Sequence, residues 1–120
     1  EVLAVFTEKN AEGNQVFTRG NDKYIKGKKV LVLEDLTTTG DSARKVVENV
    51  RNAGGNVVGV SVMINKNPKK VTSEMFGVSF NSLGDMPVET YDEKDCPLCK
   101  AKVPINTIVG HGKKYLESKK

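Results

Sequence analysis

Two adjacent carboxylates and a run of hydroxyl side chains stand together in the segment Glu34-Asp35-Leu36-Thr37-Thr38-Thr39-Gly40-Asp41-Ser42. Neighbouring acids are costly unless a cation or hydrogen-bond donors meet them. A Mg²⁺ ion, directly or through its waters, meets them well, and so do the vicinal hydroxyls of a sugar. The hydroxyl residues and glycine that follow lie where a helix is due to begin. Amides at a helix N-terminus bind phosphate, helped by the helix dipole. One compact ligand suits both halves: a phosphate in the loop and a sugar beside it over the acids, which is a ribose 5-phosphate group. The plainer alternative is a capped strand–helix turn with two solvated acids. The segment is neither a Walker A loop, since no Gly-Lys-Ser/Thr follows, nor a Gly-x-Gly-x-x-Gly dinucleotide loop.

The flanking pattern supplies the elements that position these residues. Val30 to Leu33 are four consecutive aliphatics, which predicts a strand covered on both faces, as in a parallel sheet. Ala43, Val46, Val47 and Val50 recur at helical spacing, and Gly54-Gly55 ends that helix. Val57 to Ile64 reads as a second buried strand. The two strands and the helix make a βαβ unit with a parallel, right-handed crossover, so the acids sit at the ligand-binding end of an α/β sheet. Val2 to Phe6 reads as a further strand, Thr7 to Asn14 as a turn or loop, and Gln15 to Thr18 as a returning strand. Arg19 to Lys29 reads as a surface excursion, Asn65 to Lys70 as a polar loop, Val71 to Phe76 as a short helix, and Val78 to Leu83 as a peripheral strand. Residues 1–90 are expected to form the core and 91–120 an extension with a basic end.

Composition narrows the function classes. The chain has 120 residues, one domain's worth, with 38% apolar residues and no apolar run long enough to span a membrane. Its formal charge of +4, from 19 basic and 15 acidic residues, suits small anionic ligands. Aromatics are few and not interleaved with a basic stripe, so a nucleic-acid partner is not expected. Only two cysteines occur. With no secretory pattern, a cytoplasmic, reducing compartment is the default. The start, Glu1 to Phe6, reads like the inside of a fold, and a segment upstream is expected.

The eleven residues Val30 to Gly40 resemble the signature of type I phosphoribosyltransferases: hydrophobic residues, two acids, a hydrophobic residue, small or hydroxyl residues, then Thr-Gly. The order Val5-Phe6-Thr7-Glu8-Lys9, a polar loop, then Lys28 to Asp35 is similar to orotate phosphoribosyltransferases, with the match covering roughly residues 2 to 64. The resemblance implies the Rossmann-like parallel sheet of that fold, with its first core strand and pyrophosphate loop lying upstream of residue 1. It also implies Mg²⁺, phosphoribosyl diphosphate and a nucleobase, orotate foremost, as ligands, and a homodimer. Carried over by position, Glu34 and Asp35 contact ribose hydroxyls and Mg²⁺-bound waters. Leu36, Thr37, Thr38, Thr39, Gly40, Asp41 and Ser42 cradle the 5-phosphate. Asp41 departs from the small or hydroxyl residue usual there. Lys9 points toward the pyrophosphate, and Arg19 and Lys23 belong to a loop that covers the active site, often a partner subunit's. For each of these three, a solvated surface cation is the plain alternative. A phosphoribosyl-diphosphate-binding module without catalysis is the first alternative for the whole.

Cys96-Pro97-Leu98-Cys99 is a lone Cys-x-x-Cys. Zinc takes four ligands, and His111 is the one histidine. A zinc site with His111 and another group, a metal shared between chains, a redox pair and a pair of thiols without function all stay open. A metal- or thiol-dependent interaction domain is therefore the second alternative.

Overall fold

The structure, a computed structural model, describes residues 1–118. The basic end expected at Lys119 and Lys120 lies outside the described residues. The chain divides into two compact units, the first Glu1–Val88 and the second from Glu89 onward. None of the described helices is long and apolar enough to cross a membrane.

In the first unit a short hairpin, β1 (Glu8–Lys9) and β2 (Gln15–Val16), precedes a three-stranded sheet. The sheet order is β3 (Lys29–Thr37), β4 (Asn56–Asn65), β5 (Phe80–Asp85), with both pairings parallel. Helix α1 (Asp41–Asn52) connects β3 to β4, and the one-turn helix α2 (Ser73–Phe76) precedes β5. Helix α1 ends where its apolar stripe ends. Gly54, at φ 78, adopts the left-handed conformation that glycine takes without strain. The N–H of Gly54 then donates to the carbonyl of Arg51 and that of Gly55 to the carbonyl of Val50, both at 2.9 Å, the Schellman arrangement.

One core cluster holds the unit together. Val32 of β3, Ala43, Val47 and Val50 of α1, Val57 and Val60 of β4, Val71 and Phe76 are all buried in it. The rings of Phe76 and Phe80 lie 5.2 Å apart, and the guanidinium of Arg51 donates to the carbonyl of Phe76 at 2.9 Å, tying α1 to α2. Complete burial of a valine contributes roughly 1.5–3 kcal/mol, so α1 is fixed to the sheet chiefly by this stripe.

Three expectations are corrected. Val2 to Phe6 forms no strand; Val2, Leu3 and Phe6 are exposed and only Val5 packs against the core. A strand needs a partner for its backbone groups, and the segment has none among the described residues. Arg19 to Lys29 is not wholly a surface excursion, because Ile25 within it is 2% exposed and joins the core. Its C-terminal end is tied down where Gly27 N–H donates to Gly54 O and Asn56 N–H to Lys28 O, both at 2.8 Å. The strand over Val30 to Leu33 is covered on one face only. Helices α1 and α2 contribute to the same cluster, and Leu31 and Leu33, on the other face, are 56% and 70% exposed.

The second unit contains a one-turn helix, α3 (Pro97–Lys100), and α4 (Gly112–Ser118). His111 is exposed, as are Lys113 and Lys114. The weak periodicity of Tyr91 to Gly112 corresponds to turns and irregular backbone around α3.

Candidate active site

Strand β3 does not stop at Leu33 but carries both acids. Its ladder with β4 continues through Glu34↔Val62, Leu36↔Ile64 and Thr37↔Asn65. The apolar partner strand holds the acidic segment in the sheet, which residue patterning along β3 alone does not show. Successive strand residues point to opposite faces. Glu34 therefore shares the face of Val32, and Asp35 that of Leu33.

The two carboxylates have different surroundings. Burial raises the pKa of Glu34 above its ordinary 4.5; the negative charge of Asp35 adds to this, and the positive charge of Lys9 opposes it. Lys9 is exposed on β1, yet near enough for its charge to reach Glu34. The hairpin that carries it is seated on α1 through Asn49, whose amide donates to the carbonyl of Gln15, and is braced by Thr18, whose hydroxyl donates to Glu8. Asp35 is exposed, and its Oδ1 accepts the N–H of Leu36 at 2.7 Å. Both acids border an open depression, completed by Leu33, Ser61, Val62, Met63 and Leu83.

The chain leaves the sheet at Thr38. Thr37 is buried, and its carbonyl accepts the N–H of Lys66 at 2.8 Å. Of the sequence-predicted phosphate residues, Leu36 and Thr37 thus belong to the strand, Thr38, Thr39 and Gly40 to the loop, and Asp41 and Ser42 to the first turn of α1. Gly40 is the N-cap, at φ 81. A Cβ there would stand 2.3 Å from the sulfur of the flexible Met75 side chain and 3.6 Å from Val71, so it is the left-handed conformation that selects glycine. The first intrahelical bond runs from Arg44 N–H to Gly40 O at 2.9 Å. The amides of Asp41, Ser42 and Ala43 therefore have no carbonyl of α1 to pair with. That of Asp41 reaches Thr39 Oγ1 at 3.4 Å. Hydroxyls and helix-head amides gather at the positive end of the helix dipole. The Asp41 carboxylate works against an anion there, and Arg44, 3.5 Å away, partly offsets it.

A residue that sequence patterning missed organises the other side of the loop. Asn65, 2% exposed at the end of β4, donates through Nδ2 to Val71 O at 3.1 Å and accepts the N–H of Asn67 at 3.0 Å. It thereby fixes the turn that brings Val71 against Gly40. The available signal was an Asn ending an apolar strand just before Asn67-Pro68, the composition of an Asx-turn.

Arg19 and Lys23 have partners of their own. Arg19 pairs with Glu8 at 3.6 Å, and Lys23 stands 5.8 Å from the centre of the Tyr24 ring; both are exposed. Cys96 and Cys99 are half-buried in the second unit. Among the described residues no group of three or more His, Cys, Asp or Glu side chains is gathered as a metal ion would need.

With this geometry established, comparison with known proteins is specific. A family model described as a phosphoribosyl transferase domain matches residues 3–92. The chain is 39% identical over 104 residues to an orotate phosphoribosyltransferase of Caldanaerobacter subterraneus subsp. tengcongensis, covering 87% of this chain and 52% of that protein. It is 45% identical over 78 residues to the orotate phosphoribosyltransferase of Thermotoga maritima, covering 65% of this chain and 40% of that one. A crystal structure of Mycobacterium tuberculosis orotate phosphoribosyltransferase in complex with inorganic phosphate matches at 34% identity with a TM-score of 0.46, over 52% of this chain and 38% of that one. The chain spans about half the length of the curated relatives it matches.

Proposed function

We propose, given that this chain belongs to the phosphoribosyl transferase domain family, that it forms the ribose-phosphate part of an orotate phosphoribosyltransferase active site. The observation that carries the proposal is the sequence of parts at the end of β3: two acids on the strand, a hydroxyl loop, and the N-terminus of α1. A 5-phosphate suits the amides of Ser42 and Ala43 with the hydroxyls of Thr38, Thr39 and Ser42. The ribose hydroxyls suit Glu34 and Asp35 as hydrogen-bond acceptors.

In the proposed reaction a nitrogen of the base bonds to C1 of phosphoribosyl diphosphate as the bond from C1 to the pyrophosphate oxygen breaks. Charge grows on the leaving pyrophosphate, and catalysis is positioning plus electrostatic stabilisation. Lys9, whose charge reaches Glu34, suits the role of a cation there. Arg19 and Lys23, on the exposed excursion before β3, suit a loop that closes over a site, including that of a second subunit, so the proposal includes a homodimer. A cytoplasmic location follows from the same proposed role in pyrimidine nucleotide synthesis.

The acidic pair also fits Mg²⁺. This ion takes one or two carboxylates, keeps several waters and binds substrate phosphates. Glu34 and Asp35 lie on alternate faces of β3, which suits contact through waters better than direct chelation by both. Bound there, the ion would neutralise charge on the pyrophosphate.

Steady-state conversion of orotate and phosphoribosyl diphosphate to nucleotide by the full-length protein tests the proposal. Calorimetric binding of phosphoribosyl diphosphate with no product formed would replace it with the non-catalytic module.

A further inference from the structure

The second unit contains one chemical feature that the ribose-phosphate site does not use. Cys96 is the N-cap of α3, and Cys99 is the third residue of that helix, after Pro97 and Leu98. Proline at the first helical position starts such a turn readily. A Schellman closure stops it: Lys102 N–H donates to Cys99 O and Val103 N–H to Leu98 O, both at 3.0 Å. Lys102 adopts φ 57 to make this closure, a conformation that costs an L-residue roughly 1–2 kcal/mol. The turn is therefore held closed around the two cysteines.

N-cap and third helical position are the two that face each other across a helix start, as in a capping box. Side chains three apart on a helix have Cβ atoms about 5–6 Å apart, and a disulfide needs about 3.5–4.5 Å. A small tightening at the N-cap, where Cys96 has extended rather than helical backbone, closes that gap. The two thiols are not joined to each other here, and both are half-buried. Cys96 is held below the usual thiol range, first by the backbone N–H of Cys99, with desolvation opposing and the Lys100 charge assisting. A thiolate is the form that attacks a disulfide. No third ligating side chain joins the pair among the described residues, which favours redox chemistry over a metal site within one chain.

We propose that Cys96 and Cys99 form a reversible dithiol–disulfide pair that exchanges with low-molecular-weight disulfides. The Cys96 thiolate attacks one sulfur of such a disulfide, forming a mixed disulfide and expelling one thiolate. The Cys99 thiol then loses its proton and attacks the Cys96 sulfur, expelling the second. One intramolecular disulfide and two small thiols result; the protein pair is oxidised and the small disulfide reduced.

Intact-mass analysis after alkylation tests this on the full-length protein equilibrated with oxidised glutathione. The expected result is joint loss of both alkylatable thiols with no glutathione retained, reversed by dithiothreitol. In Cys99→Ser, a single glutathione adduct on Cys96 is expected to accumulate. Retention of both alkylatable thiols in the wild type, or a stable glutathione adduct there, would overturn the proposal. So would stoichiometric zinc in the purified protein with thiols that react only after a chelator is added.

Discussion

The two faces of the three-stranded sheet are built from alternate residues of the same strands, yet they have opposite fates. On one, Val32, Val60 and Val62 are buried, with α1 and α2 supplying Val47, Val50 and Phe76 to the core around Val32 and Val60. On the other, Leu31, Leu33, Met63 and Leu83 are 56%, 70%, 57% and 78% exposed. Parallel sheets ordinarily have both faces covered, and an exposed apolar patch of this kind is a surface fit for interaction. The contrast also separates the acids, since Glu34 belongs to the covered face and Asp35 to the bare one. The sheet's stability thus comes from one side, while the candidate site draws on both.

Matched substitutions test that contrast most directly. Val47→Ala should lower the stability of the chain by about 2–3 kcal/mol, through lost burial and a cavity. Leu33→Ala should change it by no more than about 0.5 kcal/mol. Urea denaturation midpoints at constant slope report both. Equal losses would mean that Leu33 is covered in solution, and the one-sided sheet would have to be abandoned.

Gly40→Ala comes next in size. Left-handed φ costs an alanine roughly 1–2 kcal/mol, and the new methyl meets Met75. The loss should appear in thermal unfolding, with weakened calorimetric binding of phosphoribosyl diphosphate by the full-length protein. Binding that survives at wild-type strength would remove the loop before α1 from the phosphate site.

Val30 to Leu33, the α1 stripe and Gly54-Gly55 were legible because strand and helix follow local apolar periodicity and glycine punctuation. The bare face was not, because Leu31 and Leu33 are as apolar as Val30 and Val32, and only tertiary packing decides which side is covered. The strand's extension through Glu34 and Asp35 was equally hidden, being set by Val62 and Ile64 across the ladder. Val2 to Phe6 failed for the complementary reason: apolar character without a partner makes no strand. At the site, the signature from Glu34 to Ser42 stood out by residue type alone. The bracing role of Asn65 depends on Val71 and Gly40 and needed three dimensions.

A smaller effect distinguishes Asp35 from Glu34. Asp35→Asn removes the exposed charge on the bare face and should weaken phosphoribosyl diphosphate binding with Mg²⁺ present by about tenfold, near 1.4 kcal/mol. Fold stability should be nearly unchanged. Unaltered affinity by calorimetry would count against a ligand role for Asp35.

The smallest effect is a shift in pH dependence and concerns Glu34. Its pKa in the fold is raised above 4.5, by burial first and by Asp35 second. A raised carboxyl pKa means that the folded state binds the proton more tightly than the unfolded chain does. The resulting stabilisation is fully present below pH 4.5 and is lost as pH rises through the raised value. Glu34→Gln cannot titrate, so its stability relative to wild type should increase across that interval and then level off. Lys9 works in the opposite sense by favouring the ionised form. Lys9→Met should therefore move the Glu34 titration still higher, and the interval with it, as followed by the carboxyl carbon shift of Glu34 in an NMR titration. If that shift is the same with and without Lys9, the hairpin does not bring its cation to the acidic pair in solution. The candidate site would then be confined to the end of β3 and the head of α1.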